Sequence, residues 1–150
     1  MQAVGIIGAG QMGAGIAQVS AQAGYRVLLT DVDKARAEAG KAGIARQLDR
    51  AVEKGKIDPQ ARDQALARIE PIEGVQGMSS CSLVIEAATE REEVKRAIFA
   101  QAGTVLGHQA ILASNTSSIP ITRLAQASPD PARFIGCLLY TSDAADERSS

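Results

Sequence analysis

Tryptophan is absent from this 150-residue chain, histidine occurs once and cysteine twice. One His and two Cys cannot supply a disulfide framework or a four-ligand zinc site. Neither sign of charge is in excess: 16 Lys and Arg face 17 Asp and Glu, a net charge of -1. There is no basic surplus to neutralise a nucleic-acid backbone or to hold an anionic membrane surface. No apolar run approaches the roughly 20 residues of a membrane span. Gly and Gln interrupt the N-terminus at once, so the basic, apolar and small-residue regions of a signal peptide are missing. What is present is 45% hydrophobic and 22% charged residues. That suffices for a core and suits a single domain of ordinary size. The expectation is a soluble domain of a reducing, cytoplasmic compartment, with neither nucleic acid nor membrane as partner.

Along the chain, short apolar runs alternate with helical stretches. Ala3 to Gly8 is branched and apolar, as a buried parallel strand would be. Residues 11 to 24 read as a helix with Gly24 where a C-terminal cap belongs. Residues 25 to 30 form a second strand ending at Asp31. A long helix follows over 34 to 54, with Ala45, Leu48 and Val52 on one face. Asp58-Pro59 is an N-cap with proline at the first helical position, opening a helix to about Arg68. Further strands fall at 69 to 72 (weak), 83 to 87, 110 to 113 and 133 to 136. A helix spans 91 to 106, with Val94, Ile98, Gln101 and Val105 sharing a face, and a short one spans Pro120 to Gln126. Strand–helix alternation indicates an α/β, Rossmann-type doubly wound, mostly parallel sheet. The pair at 34 to 68 exceeds a simple crossover and is expected to project as a helical hairpin.

Gly8-Ala9-Gly10-Gln11-Met12-Gly13 is a G-x-G-x-x-G between the first strand and the first helix. Gly8 permits the tight turn, Gly10 lets a pyrophosphate approach the backbone, and Gly13 allows close helix–strand packing. A diphosphate would then meet the helix N-terminus, where free N–H groups and the dipole favour anions. Alone, the pattern also fits a structural turn. Asp31 ends the second strand, where a carboxylate can accept both ribose hydroxyls of adenosine and repel a 2′-phosphate. Val32 and Asp33 supply no Arg for such a phosphate, so NAD is favoured over NADP. Asp31 alone would equally suit a solvated turn. Met12 at the fifth position speaks against a G-x-G-x-G methyltransferase loop, and no Gly-Lys-Ser/Thr follows as in a Walker loop. Ser114-Asn-Thr-Ser-Ser118 lies at a strand's carboxyl end, where ligands of open α/β sheets collect. Its hydroxyls and amide could bond a substrate oxygen, or cap the turn before Pro120.

Three segments together resemble one family. Gly5-Ile-Ile-Gly-Ala-Gly-Gln-Met-Gly-Ala-Gly-Ile-Ala-Gln-Val19, Leu83-Val-Ile-Glu-Ala-Ala-Thr-Glu90 and Ile111-Leu-Ala-Ser-Asn-Thr-Ser-Ser-Ile119 are similar to the NAD-binding domain of L-3-hydroxyacyl-CoA dehydrogenases, the bacterial 3-hydroxybutyryl-CoA enzymes above all. The resemblance runs over residues 1 to 136. It implies oxidation of the 3-hydroxyl of a fatty acyl-CoA, with hydride passing to NAD. It implies that Gly8 to Gly13 and Asp31 bind the dinucleotide and that Glu90 and Lys95 line its nicotinamide side. Ser117 would touch both cofactor and the substrate's C3 oxygen, and Lys54 would meet coenzyme A phosphate. Plainer readings stand beside these. Lys95 also fits a charged helix face next to the Glu92–Arg96 pair, Lys54 a solvated surface, Glu86 a structural role, and His108 a solvated loop.

Removing the hydroxyl proton requires a group titrating near neutrality, normally a histidine oriented by a carboxylate. The resemblance puts Leu138 where the family's histidine stands and about Ser150 where its orienting Glu stands. The family's all-helical C-terminal domain, through which the parent would form a homodimer, has no counterpart in these residues. From Cys137 the chain departs abruptly from the family pattern and resembles a translated transposon-type sequencing adapter. Residues 137 to 150 are therefore read as a non-native tail and excluded from fold reasoning. That tail carries Asp143, Asp146, Glu147 and Arg148, so residues 1 to 136 have a net charge of +1. The expectation is an NAD-binding portion without useful turnover of its own. A stand-alone dinucleotide-binding module, or a sugar-acid dehydrogenase of the same superfamily, is the alternative.

Overall fold

The computed structural model describes residues 3–88, 91–107 and 110–114, together with the backbone of 134–136. Six strands form one sheet: β1 (Ala3–Ile7), β2 (Arg26–Thr30), β3 (Ile69–Pro71), β4 (Cys81–Glu86), β5 (Ile111–Ser114) and β6 (Phe134–Gly136). Their order is β3-β2-β1-β4-β5-β6, and every pairing is parallel. Helices α1 (Gln11–Gln22), α2 (Lys34–Glu53), α3 (Pro59–Ala67) and α4 (Glu92–Val105) connect them. The fold is thus the expected α/β Rossmann type. Strand order reverses between β1 and β4, which opens a crevice at the carboxyl ends of those two strands.

Both sheet faces are covered, as a parallel sheet requires. Side-chain alternation divides the core accordingly. Val4, Ile6, Val27 and Leu29 pack with Ala17 and Ala21 of α1, Ala37, Ile44 and Leu48 of α2, and Ala65 of α3. Ala3, Ile7, Leu28 and Val84 pack on the other face with Phe99 and Ala102 of α4 and with Met78. Met78 comes from a 3-10 turn at Gln76–Met78 that no sequence signal marked. Its sulfur occupies the space above Gly5, 2.7 Å from where a Cβ would stand. Each fully buried Leu or Ile contributes about 1.5–3 kcal/mol, so the sheet is held from both sides by several comparable terms.

Local capping sets the helix ends. Asp33 accepts the Arg36 N–H at 2.8 Å to start α2, and Asp58 accepts the Ala61 N–H at 2.9 Å ahead of Pro59 to start α3. Gly24, at φ 105°, follows the last turn of α1 and redirects the chain into β2. The 34 to 68 helical pair is anchored at its base. Ile44 and Leu48 are buried, and Arg68 Nη1 donates to the Ala21 carbonyl at 2.8 Å, tying it to the end of α1. The pair's outer surface is exposed along much of its length, and the tip at residues 53 to 56 is exposed throughout.

Two amphipathic faces differ from the sequence expectation. The buried face of α2 is Ala37, Gly40, Ile44 and Leu48, with Ala45 and Val52 half-buried beside it. Gly40 allows the approach, since a Cβ there would lie 2.8 Å from that of Ala9. The buried face of α4 is Lys95, Phe99 and Ala102. A lysine at its N-terminal end breaks the apolar stripe in sequence. The expected helix at Pro120 to Gln126 and the tail lie outside the described residues.

Cys81, at the start of β4, is a buried free thiol. Burial pushes it up to about 11, with nearby Arg26 pulling weakly the other way. The reactive thiolate is then scarce at neutral pH. Cys81 is expected to resist iodoacetamide in the folded chain and to react fully in denaturant, as peptide mapping by mass spectrometry would show. Native-state alkylation of Cys81 would contradict its burial.

Candidate functional site

The crevice at the carboxyl edge of the sheet holds a cleft of about 1030 Å³. Its walls are the loop after β1, the end of β2, the first half of α2, the loop after β3, Ala88 after β4, and Val94, Ile98 and Gln101 of α4.

The three glycines of the first loop differ in what demands them. Gly8 adopts φ 115°, and a Cβ on it would lie 2.7 Å from the Ala87 carbonyl carbon and oxygen. Its N–H donates to the Thr30 carbonyl at 2.8 Å, while the Ala87 N–H donates to the Ile7 carbonyl at 2.8 Å. Gly8 is therefore fixed between the ends of β2 and β4. A Cβ on Gly13 would lie 1.7 Å from the Gly8 carbonyl oxygen. These two glycines are dictated by the chain's own backbone. Gly10 is not: no atom lies within 4 Å of where its Cβ would be, and its φ is an ordinary -74°.

Gly10 is also the N-cap of α1. No side chain caps that helix and no acidic residue occupies its first turn, whereas Asp33 and Asp58 cap α2 and α3. The amino end of α1 is thus left to an external partner, and an anion is the partner its N–H groups and dipole favour. Open space at Gly10 and an uncapped helix end suit a diphosphate.

Asp31 lies beside this loop. Its Oδ2 accepts the Ala9 N–H and its Oδ1 the Val32 N–H, both at 2.6 Å, so the end of β2 is tied to the glycine loop. Each oxygen keeps a second acceptor position, and the residue lines the cleft. A ribose diol fits that acceptor pair. Arg36 also lines the cleft, so the lack of an Arg directly after Asp31 does not by itself exclude a 2′-phosphate and the preference for NAD rests on the Asp31 carboxylate. Three residues after its N-cap, the first turn of α2 brings Arg36 back to the β2 end. The signal was available in the capping spacing.

A second polar centre lies at the ends of β4 and β5. Glu86, Lys95 and Ser114 are all fully buried. Glu86 Oε1 accepts from Lys95 Nζ at 2.5 Å and from the Ser114 hydroxyl at 2.8 Å, and Oε2 accepts the Ala88 N–H at 2.7 Å. The reading of Lys95 as part of a solvated charged face is thereby corrected. It is an interior cation neutralised by Glu86, set behind the Val94 and Ile98 that line the cleft. Lys54 stands exposed at the C-terminal end of α2, away from the cleft lining. Glu90, His108, Ser117 and Leu138 lie outside the described residues. Among the described residues no group of three or more His, Cys, Asp or Glu could hold a metal ion, and no helix is long and apolar enough to cross a membrane.

Comparison with known proteins agrees with this geometry. Residues 3–139 match the family described as 3-hydroxyacyl-CoA dehydrogenase, NAD binding domain. The chain is 52% identical over 133 residues to a 3-hydroxybutyryl-CoA dehydrogenase of Bradyrhizobium diazoefficiens, covering 89% of this chain and 45% of that protein. It is 45% identical over 137 residues to one of Mycobacterium tuberculosis, covering 91% and 48%. The crystal structure of (S)-3-hydroxybutyryl-CoA dehydrogenase from Ralstonia eutropha superposes with a TM-score of 0.89 at 41% identity, over 93% of this chain and 50% of that one. The chain spans about half the length of the curated relatives it matches. With the cofactor type fixed as NAD, the chain belongs to the 3-hydroxyacyl-CoA dehydrogenase family, in the part of it that forms the NAD-binding domain.

Proposed function

We propose that residues 1 to 136 are the NAD-binding portion of an enzyme that oxidises (S)-3-hydroxyacyl-CoA to 3-oxoacyl-CoA, with 137 to 150 a non-native tail. The observation that carries this reading is the pairing of an uncapped α1 over open Gly10 with the Asp31 carboxylate across the loop. In this reading the first-turn N–H groups of α1 hold the diphosphate, close beside Ala9, Gln11 and Met12. Asp31 takes the adenosine ribose hydroxyls and disfavours a 2′-phosphate. Glu90 serves the nicotinamide half, Lys95 acts on it only from the interior through its pairing with Glu86, Ser117 bonds the substrate's C3 oxygen, and Lys54 meets coenzyme A phosphate. Bound NAD supplies the hydride acceptor.

The C3 hydroxyl proton needs a base titrating near neutrality. Leu138 cannot act as one. The base, much of the acyl-CoA pocket and the homodimer contact are assigned to the half of the relatives that this chain does not span.

A chimera tests the function. Residues 1 to 136 joined to the remaining half of the Bradyrhizobium relative should form NADH when given (S)-3-hydroxybutyryl-CoA, while the 150-residue chain alone should form none. A folded chimera that reduces NAD with a sugar acid but not with the acyl-CoA would refute the substrate assignment. Gly10→Ala tests the diphosphate assignment. Its Cβ meets no protein atom, so the midpoint of thermal unfolding should stay within a few degrees of the parent. NAD affinity should fall about tenfold or more, because the methyl group occupies the anion's approach and one lost charge-assisted hydrogen bond is worth that much. Unchanged NAD affinity by titration calorimetry would refute the assignment.

A further inference from the structure

Glu86, Lys95 and Ser114 bury a charged pair and a hydroxyl completely, yet stability alone does not call for them. A hydrophobic pair of like volume is often as stable as a buried ion pair, or more so. What the trio does that an apolar cluster could not is connect three segments through one carboxylate, two of which line the cleft. Oε2 holds the Ala88 N–H, and Ala88 lines the cleft beside Ala87, whose carbonyl abuts Gly8. Oε1 holds Lys95 and with it α4, whose Val94 and Ile98 line the same wall. Oε1 also holds Ser114, the last residue of β5 and the first of the Ser-Asn-Thr-Ser-Ser segment.

All three segments belong to the β4–β5 side of the switch point. The glycine loop and Asp31 belong to the β1–β2 side. In a doubly wound sheet each side takes one mononucleotide of a dinucleotide. We infer that Glu86 is a positioning residue for the second mononucleotide half of the NAD site, setting Ala88, α4 and Ser114 at fixed separations while leaving the adenosine half untouched. This rests on the NAD reading of the cleft.

The test compares NAD with AMP, which probes the adenosine half alone, on the 150-residue chain by titration calorimetry. In Glu86→Gln the amide offers Lys95 a poorer partner and the three segments lose their common anchor. NAD affinity should fall about tenfold, the equivalent of one charge-assisted hydrogen bond. AMP affinity should stay within about twofold, as expected for distant, independent sites. Unchanged NAD affinity, or a parallel loss of AMP, overturns the inference.

If Glu86→Gln does not fold, Glu86→Gln/Lys95→Met removes the stranded cation and should show the same NAD-selective loss. Parent-like NAD affinity in that pair overturns the inference. Ser114→Ala, which keeps the ion pair, should show a smaller loss of the same selectivity, and a loss shared equally by AMP counts against it. A parent chain that binds AMP and NAD normally keeps the cofactor reading whatever the variants do. One that folds but binds neither overturns the cofactor reading and this inference together.

Discussion

Gly13→Ala is expected to unseat α1 and abolish NAD binding. The new Cβ would stand 1.7 Å from the Gly8 carbonyl oxygen and 2.7 Å from its carbon. Backbone, not a flexible side chain, is what it meets, so helix and loop must separate by more than an ångström. Overpacking a tight site costs about 1–3 kcal/mol and occasionally more. A backbone–backbone clash belongs at the upper end. For a domain of this size about 3 kcal/mol lowers the unfolding midpoint by roughly 6–12 °C. The same displacement moves the α1 amino end away from Asp31, whose Oδ2 is bonded to Ala9 in that loop. The contrast with Gly10→Ala is informative: one substitution damages fold and binding, the other binding alone. A Gly13→Ala chain with parent-like midpoint and NAD affinity would contradict the tight loop geometry.

Lys95→Met should be the most destabilising change to the interior polar centre. Methionine nearly matches lysine in length, so little cavity is created and the main loss is the charge. Glu86 then remains buried with Ser114 and the Ala88 N–H but no cation. Leaving one member of a buried ion pair uncompensated costs about 3–5 kcal/mol, against a total of roughly 5–15 kcal/mol for a small domain. Denaturant unfolding should report that loss. Adding Glu86→Gln should recover most of it, because the interior is then free of net charge, and the double-mutant cycle isolates the coupling. Equal stability of Lys95→Met and the parent would mean that the pair is not buried as described.

Much of the architecture was legible because local chemistry decides it. The apolar run at Ala3–Ile7 is buried on both faces, and its residues announce that without reference to any other element. Asp58 ahead of Pro59 starts a helix through one side chain and one fixed φ. The glycine loop and Asp31 were legible for the same reason, since turn, helix end and strand end are close in sequence. What escaped was non-local. Lys95 reads as a surface cation until Glu86, nine residues earlier on a strand, is brought against it. Met78 fills the space over Gly5 from 73 positions away in the chain. The inward face of α2 was shifted by one position because small residues, Ala37 and Gly40, mark the closest approach, and small residues carry a weak hydrophobic signal. Arg36 was missed for a simpler reason. One helical turn, not adjacency in sequence, brings it to the end of β2.

The central claim is that the cleft at the β1–β4 switch point takes NAD through Asp31 and the α1 amino end. Titration calorimetry of the 150-residue chain and of Asp31→Ala, with NAD and NADP in turn, tests it most directly. The expected result is binding of NAD by the parent, little or none of NADP, and at least a tenfold loss of NAD affinity in Asp31→Ala, the scale of losing charge-assisted bonds to a diol. A folded parent chain that gives no NAD binding, or an Asp31→Ala chain that binds NAD as the parent does, would contradict it.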